Sequence, residues 1–377
     1  MKMGGNAGTF AVLQAKLRRP GSRYFGIHQF RATAEDVNYF SSYRKLFPLK
    51  ASLQDYHGAP FPKKADQIFS NKVPKQPVSA YREILWAIAR CEQFKDAIRD
   101  FCELRLSFES AVLLDDYPRA VQILDEIESR FGKSIWLYQN RMASAHIGPT
   151  EILPSEIATG ILEEVKGNQV LHPLLHYVRR RIESAGLRDK LRTEIEELIE
   201  SVIYSSYFRA KILDVTDSGE AAVSSLLFMD AHASVIDHYS SLVLVLQAAA
   251  SDRMLTSEMV AWILPTLSRL YEGTNDHRLI GVMSALGRSL TYSSTASLER
   301  MHAIESYTAG DFEECIERSA EVLRKNPIDS AIRLLQVKAA VAMERQLDSD
   351  SGLRGELQEH YLIFFRPMID SLPASTH

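Results

Sequence analysis

Cysteine is scarce in this sequence, and the few present do not pair. Cys91, Cys102 and Cys315 are the three cysteines in 377 residues, and no two stand in a CxxC spacing. That excludes a zinc ribbon and a thioredoxin-type redox motif. Three scattered thiols read instead as reduced core residues of a cytoplasmic protein. Long apolar runs are missing too. The most apolar stretch, Leu242 to Ala250 with Gln247 inside it, is far too short to span a bilayer, so no membrane partner is expected. The opening MKMGGNAGTFAVLQAKLRRP has no continuous apolar core of the kind a secretory leader needs. A phosphate-binding GxxxxGK[ST] loop, a GxSxG elbow and a glycine-rich dinucleotide turn are all absent. With no local catalytic signature, the expectation is a protein that is not an enzyme and uses no cofactor.

What is present is unevenly spread. Residues 1–80 carry 13 Lys/Arg against 4 Asp/Glu, while the whole chain has a net charge of −4. The same segment holds six of the 14 prolines and six of the 18 glycines. It is dense in rings, among them Tyr24, Phe25, Phe30, Tyr39, Phe40, Tyr43, Phe47, Tyr56, Phe61 and Phe69. So many large apolar rings do not suit a freely solvated tail. Residues 1–79 therefore read as a basic, irregular arm that docks on an acidic body. The competing reading is a nucleic-acid surface, with Arg18, Arg19, Arg23, Arg44 and Lys45 on phosphates and rings stacked on bases.

From about Ala80 the pattern turns helical. In AYREILWAIARCEQFKDAIRDFCEL, Ile84, Ile88, Cys91, Phe94, Ile98, Phe101 and Cys102 recur at three- and four-residue spacing. That predicts one apolar face of a long helix. LRDKLRTEIEELIESVIYSSYF puts Leu191, Ile195, Leu198 and Val202 on one stripe in the same way. Alternating strand patterns are not evident after residue 80. The prediction is an all-α body over 80–290 and a further helical unit over 291–377.

The stretch GDFEECIERSAEVLRKNP carries the most specific pattern. Gly310, Asp311 and Phe312 supply a turn, Cys315 a small contact residue, and Pro327 a helix stop. The preceding LERMHAIESYTA is apolar at Leu298, Met301, Ala303, Ile304 and Tyr307. LLDDYPRAVQILDEIESRFG repeats the frame, with Asp116 and Tyr117 at the turn, Ala120 at the small position and Gly132 at the stop. These residues resemble the tetratricopeptide repeat, a helix pair of about 34 residues. The resemblance covers about 101–145 and 296–345. Phe108 and Ala303 stand where that family has Gly in its first helix, so it implies an irregular α-solenoid of antiparallel helical hairpins. Such repeats imply a scaffold or adaptor that binds a protein or peptide partner.

Three constellations could carry chemistry. His172 and His176 have helical i, i+4 spacing, but Pro173 stands where a zincin has Glu. DAHASVIDHYSS offers Asp230, His232, Asp237 and His238 as a metal or acid–base cluster, the basis of a cryptic-enzyme reading. The alternative there is polar decoration of a helix surface. Arg179, Arg180 and Arg181 form a basic run suited to phosphate or an acidic peptide, or to i, i+4 pairing on a solvated face.

Overall fold

The computed structural model describes residues 59–69, 77–113, 116–147, 154–183, 188–212, 219–251, 257–276, 278–287, 295–325, 332, 335–336 and 338–340. Among them lie one short 3-10 turn, Ala65–Gln67, and fourteen α-helices, with no strand. The described part of the chain is all-helical. In order, the helices are α1 (Ala80–Gln93), α2 (Lys95–Leu113), α3 (Tyr117–Phe131), α4 (Ile135–Ile147) and α5 (Pro154–Val165). Next come α6 (Leu171–Glu183), α7 (Arg188–Leu198), α8 (Val202–Ile212), α9 (Gly219–Asp230) and α10 (Val235–Ser251). The last are α11 (Ser257–Thr274), α12 (Arg278–Ala285), α13 (Thr295–Ala309) and α14 (Phe312–Lys325).

Side chains that cap orphan backbone N–H groups start many of these helices. Asp116 Oδ1 accepts from the Arg119 N–H at 3.1 Å and so opens α3. Asp311 Oδ1 accepts from the Glu314 N–H at 3.2 Å and opens α14 in the same way. The aromatic residue after each cap, Tyr117 or Phe312, is buried, and so are Ala120 and Cys315 beneath them. α2 packs along α3 and α13 along α14. Gly310 makes the second turn in the left-handed region, at φ 82°.

Neighbouring helices stack in chain order from α2 to α10. Further contacts close the arrangement: α1 packs on α9, α10 and α11, and α2 on α10 and α11. α10 is the centre, touching α1, α2, α4, α9 and α12. Every residue from Ala222 to Val243 is buried. Each fully buried aliphatic side chain there contributes about 1.5–3 kcal/mol by leaving water. The α13–α14 pair has two small apolar clusters of its own, around Ala303, Val322 and Ile332 and around Phe312, Cys315 and Ala339.

Two helices expected as continuous are broken. The stripe from Ala80 to Leu104 is split at Phe94, whose N–H bonds the Cys91 carbonyl at 3.0 Å instead of continuing the α pattern. The break aims the Phe94 ring edge-on at Phe61, with centroids 5.8 Å apart. The stripe from Leu187 ends at Leu198. Leu191 and Ile195 are buried, but Leu198 and Val202 are 70% and 75% exposed, because the turn at 199–201 redirects the chain.

Candidate functional site

Residues 59–69 form no long helix, yet Pro62, Ala65 and Ile68 are buried. This segment is a strap that crosses the turns between α3 and α4, between α5 and α6, and between α9 and α10. Its main chain is answered at each of them. The Lys133 N–H donates to Pro62 O at 2.6 Å, and the Val235 N–H to Pro60 O at 2.9 Å. Asn168 Nδ2 donates to Ala65 O at 3.4 Å and to Ile68 O at 2.6 Å. The Phe69 N–H donates to His232 O at 3.1 Å. Lys63 Nζ reaches Ser129 O at 3.0 Å.

Local chemistry explains each of these partners. Asn168 is the N-cap of α6: its Oδ1 accepts from the Val170 and Leu171 N–H groups at 3.2 and 2.9 Å. An aspartate could cap equally well, but it could not donate to the strap carbonyls. Gly132 has φ 72° and ψ −159°, backbone space open essentially to glycine alone. A Cβ there would stand 2.1 Å from Pro62 O. Phe61 packs against Phe94 and Phe131, and the Phe69 ring meets Tyr207 edge-on at 6.1 Å. Phe69 itself is left-handed at φ 55°, a strained setting for an aromatic residue.

Beneath the strap, the start of α10 presents a run of buried polar residues whose bonds go to different helices. Asp237 accepts from the Ile135 and Trp136 N–H groups at 3.0 and 2.8 Å, so it caps α4 from across the core. Ser234 Oγ donates to Asp237 at 2.7 Å and accepts from the Asp237 N–H at 3.0 Å. His238 Nδ1 lies 3.1 Å from Arg90 Nη1 on α1. Tyr239 donates to Asp276 at 2.8 Å. Ser241 donates to Asp230 at the end of α9, which also accepts from Tyr207 and Lys211 on α8, each at 2.7 Å. Burial raises the Asp237 carboxyl above the usual carboxylate range; Lys211 and the two amides pull it down and Asp230 pushes it up. Burial and Asp230 raise the Tyr207 phenol as well.

A second charged cluster joins α2 to α12. Asp276 accepts from Arg105 Nη2 at 3.3 Å, from Arg278 Nη2 at 2.7 Å and from Cys102 Sγ at 3.5 Å. Arg105 Nη1 also donates to Glu109 at 3.1 Å. Burial works against the Arg278 cation, but Asp276 outweighs it and raises its pKa. Lys338 is buried beside this cluster, and burial lowers its pKa to about 8. Glu109 favours the ammonium there, while Arg278 and Arg105 oppose it. The neighbouring Ala339 packs on Phe312 and Cys315.

Asp230, His232, Asp237 and His238 do not share one helix. Asp230 ends α9, the chain turns through 231–234, and α10 begins at Val235. Nor do they decorate a surface: Asp230, Asp237 and His238 are 0% exposed and His232 is 1% exposed. Through these bonds Asp230 ties α9 to α8, Asp237 ties α10 to α4, and His238 ties α10 to α1. No group of metal-ligating residues occurs among the described residues.

His172 and His176 begin α6, His172 half-buried and His176 exposed. Burial, with Arg180 and His172 nearby, lowers the His176 pKa. Arg179 donates to Glu183 at 2.6 Å, Arg180 grips Glu194 with both terminal nitrogens, and Arg181 reaches the Ile212 carbonyl. Arg18, Arg19, Arg23, Arg44, Lys45 and Pro327 lie outside the described residues. Of the docking arm expected over residues 1–79, the structure describes 59–69 and 77–79, and the residue patterns singled out neither the 59–69 stretch nor its main-chain partners. The signal of that stretch was local: FPKKADQIF couples an aromatic–proline pair to a later aliphatic–aromatic pair inside the basic segment.

Comparison with known proteins gives no relative. No family model, no curated protein and no solved structure matches the chain. No described helix is long and apolar enough to cross a membrane.

Proposed function

We propose that this chain is a non-catalytic helical scaffold that binds an extended segment of a protein partner within a complex. The observation that supports it is the strap: the body holds an irregular segment through main-chain bonds at three inter-helix turns. Reading backbone at fixed points while a few side chains enter pockets is how peptide-binding surfaces combine affinity with tolerance of sequence. The buried polar residues fit a structural role, since Asp230, Asp237 and Asp276 each bind helices together. The two hairpins α2–α3 and α13–α14 are proposed as tetratricopeptide-like antiparallel units of an irregular α-solenoid. The matched caps Asp116 and Asp311 and the matched small residues Ala120 and Cys315 support that assignment.

Full-length chain immobilised in native lysate, washed at low and at high salt, tests this reading. A discrete protein retained at high salt is the expected result. Retention of nucleic acid alone, lost steeply as salt rises, would replace the scaffold with a nucleic-acid-associated factor using the basic N-terminal segment. Retention of neither would remove both.

A further inference from the structure

The groove under the strap is built from groups that read main chain. Lys133 and Val235 offer N–H donors, Asn168 offers its amide, and His232 offers a carbonyl acceptor. None of these interactions specifies a side chain. Strap side chains enter the body at Phe61, Pro62, Ala65 and Ile68, whereas Lys63, Lys64 and Asp66 are exposed. The strap also sits outside every α-helix, so its departure breaks no α-helical hydrogen-bond ladder.

Asn168 is the telling residue. As a cap alone, serine or aspartate would serve as well as asparagine. Only an amide both caps α6 with its oxygen and binds two strap carbonyls with its nitrogen. Gly132 makes the parallel case, because its missing Cβ is the space that Pro62 O occupies.

We infer that this groove is an exchangeable peptide site, occupied by the chain's own residues 60–69 and open to an extended partner segment of the same chemistry. That segment has an aromatic–proline pair, two outward basic residues, a small residue and then an aliphatic–aromatic pair, in the order of Phe61–Phe69. The inference rests on the scaffold reading and gives it both a partner class and a regulation. A tethered strap competes at an effective concentration on the order of millimolar. A partner therefore engages fully only when its segment binds better than the strap or when the strap is weakened.

The probe is a fluorescein-labelled synthetic peptide of residues 59–70, and the readout is anisotropy with full-length protein. The strap variant Phe61→Ala/Ile68→Ser should bind the peptide at least about tenfold more tightly than wild type, because its tethered competitor is weakened. Adding Asn168→Asp, which keeps the α6 cap, should remove most of that gain. Equal binding by the strap variant with and without Asn168→Asp, or no binding by a strap variant whose helical circular dichroism matches wild type, overturns the site. Should the strap variant fail to fold, hydrogen exchange on wild type decides. Unlabelled peptide should raise deuterium uptake at residues 59–69, and unchanged uptake under excess peptide overturns exchangeability. Loss of peptide binding alongside a salt-resistant lysate partner removes this groove and leaves the scaffold. Peptide binding without any lysate partner does the reverse.

Discussion

The carbonyl oxygen of Pro62 lies 2.1 Å from the point where a β-carbon on Gly132 would stand. Two segments far apart in the chain are thus fitted to each other at one atom. Gly132→Ala meets two penalties: a backbone conformation that non-glycine residues rarely take, and a clash with main chain that cannot rotate away. The expected destabilisation is about 2–4 kcal/mol. Protease cleavage within 59–69 should appear at concentrations that leave wild type intact. Urea denaturation with limited proteolysis measures both, and a variant with unchanged midpoint and cleavage would show that the strap does not depend on this contact.

Asp237 is the cap of a helix to which it does not belong. Asp237→Ala strands the Ile135 and Trp136 N–H groups and the Ser234 hydroxyl, for an expected cost of about 2–4 kcal/mol. Asp237→Asn keeps an acceptor and should cost about 1 kcal/mol at low pH. Because burial raises the native carboxyl above its unfolded value, the folded chain holds a proton that the unfolded chain has released. Its contribution to stability is complete below the ordinary carboxylate pKa and is lost as pH rises through the raised value. The gap between Asp237→Asn and wild type should therefore narrow from pH 4 to pH 8 in denaturant titrations.

How much of this was legible beforehand depends on the range of the interaction. The all-helical class was, because apolar spacing near 3.6 is set within each segment, as with Ile84, Ile88 and Cys91. The turn residues Gly310 and Asp311 were legible for the same reason. The break at Phe94 was not, since the ring that accompanies it, Phe61, lies far away in the chain. The polar run Asp237–His238–Tyr239 looks like a solvent face in sequence. Its partners at Trp136, Arg90 and Asp276 are contributed by three other parts of the chain, so only the assembled fold makes it interior.

Lys338 links the segment after α14 to the charged cluster between α2 and α12. Two guanidinium groups, Arg105 and Arg278, face two carboxylates, Glu109 and Asp276, so a protonated Lys338 leaves a cation in excess. With its pKa lowered to about 8, folding favours the neutral amine. The unfolded chain binds the extra proton between about pH 8 and the ordinary lysine value, so stability rises with pH across that window, by about 3 kcal/mol. Lys338→Met should lack this rise. Thermal melts at pH 7 and pH 10 on both proteins, compared as differences, isolate the lysine from other groups that titrate there.

The three thiols report on how the molecule comes apart. Burial pushes Cys91 and Cys315 up to about 12, and burial with the nearby Asp276 raises Cys102 too. Since the thiolate is the reactive form, alkylation of the native protein at pH 8 should be at least roughly a thousandfold slower than that of a free thiol. Denaturant should then expose them in order. Cys91 and Cys102 belong to the main apolar core, whereas Cys315 sits in the small cluster with Phe312 and Ala339. A cluster that small opens for less free energy than the whole core. Pulsed alkylation across a urea series, read by peptide mass, should label Cys315 first and Cys91 and Cys102 together later. Simultaneous labelling of all three would mean that α13–α14 unfolds with the body as one cooperative unit.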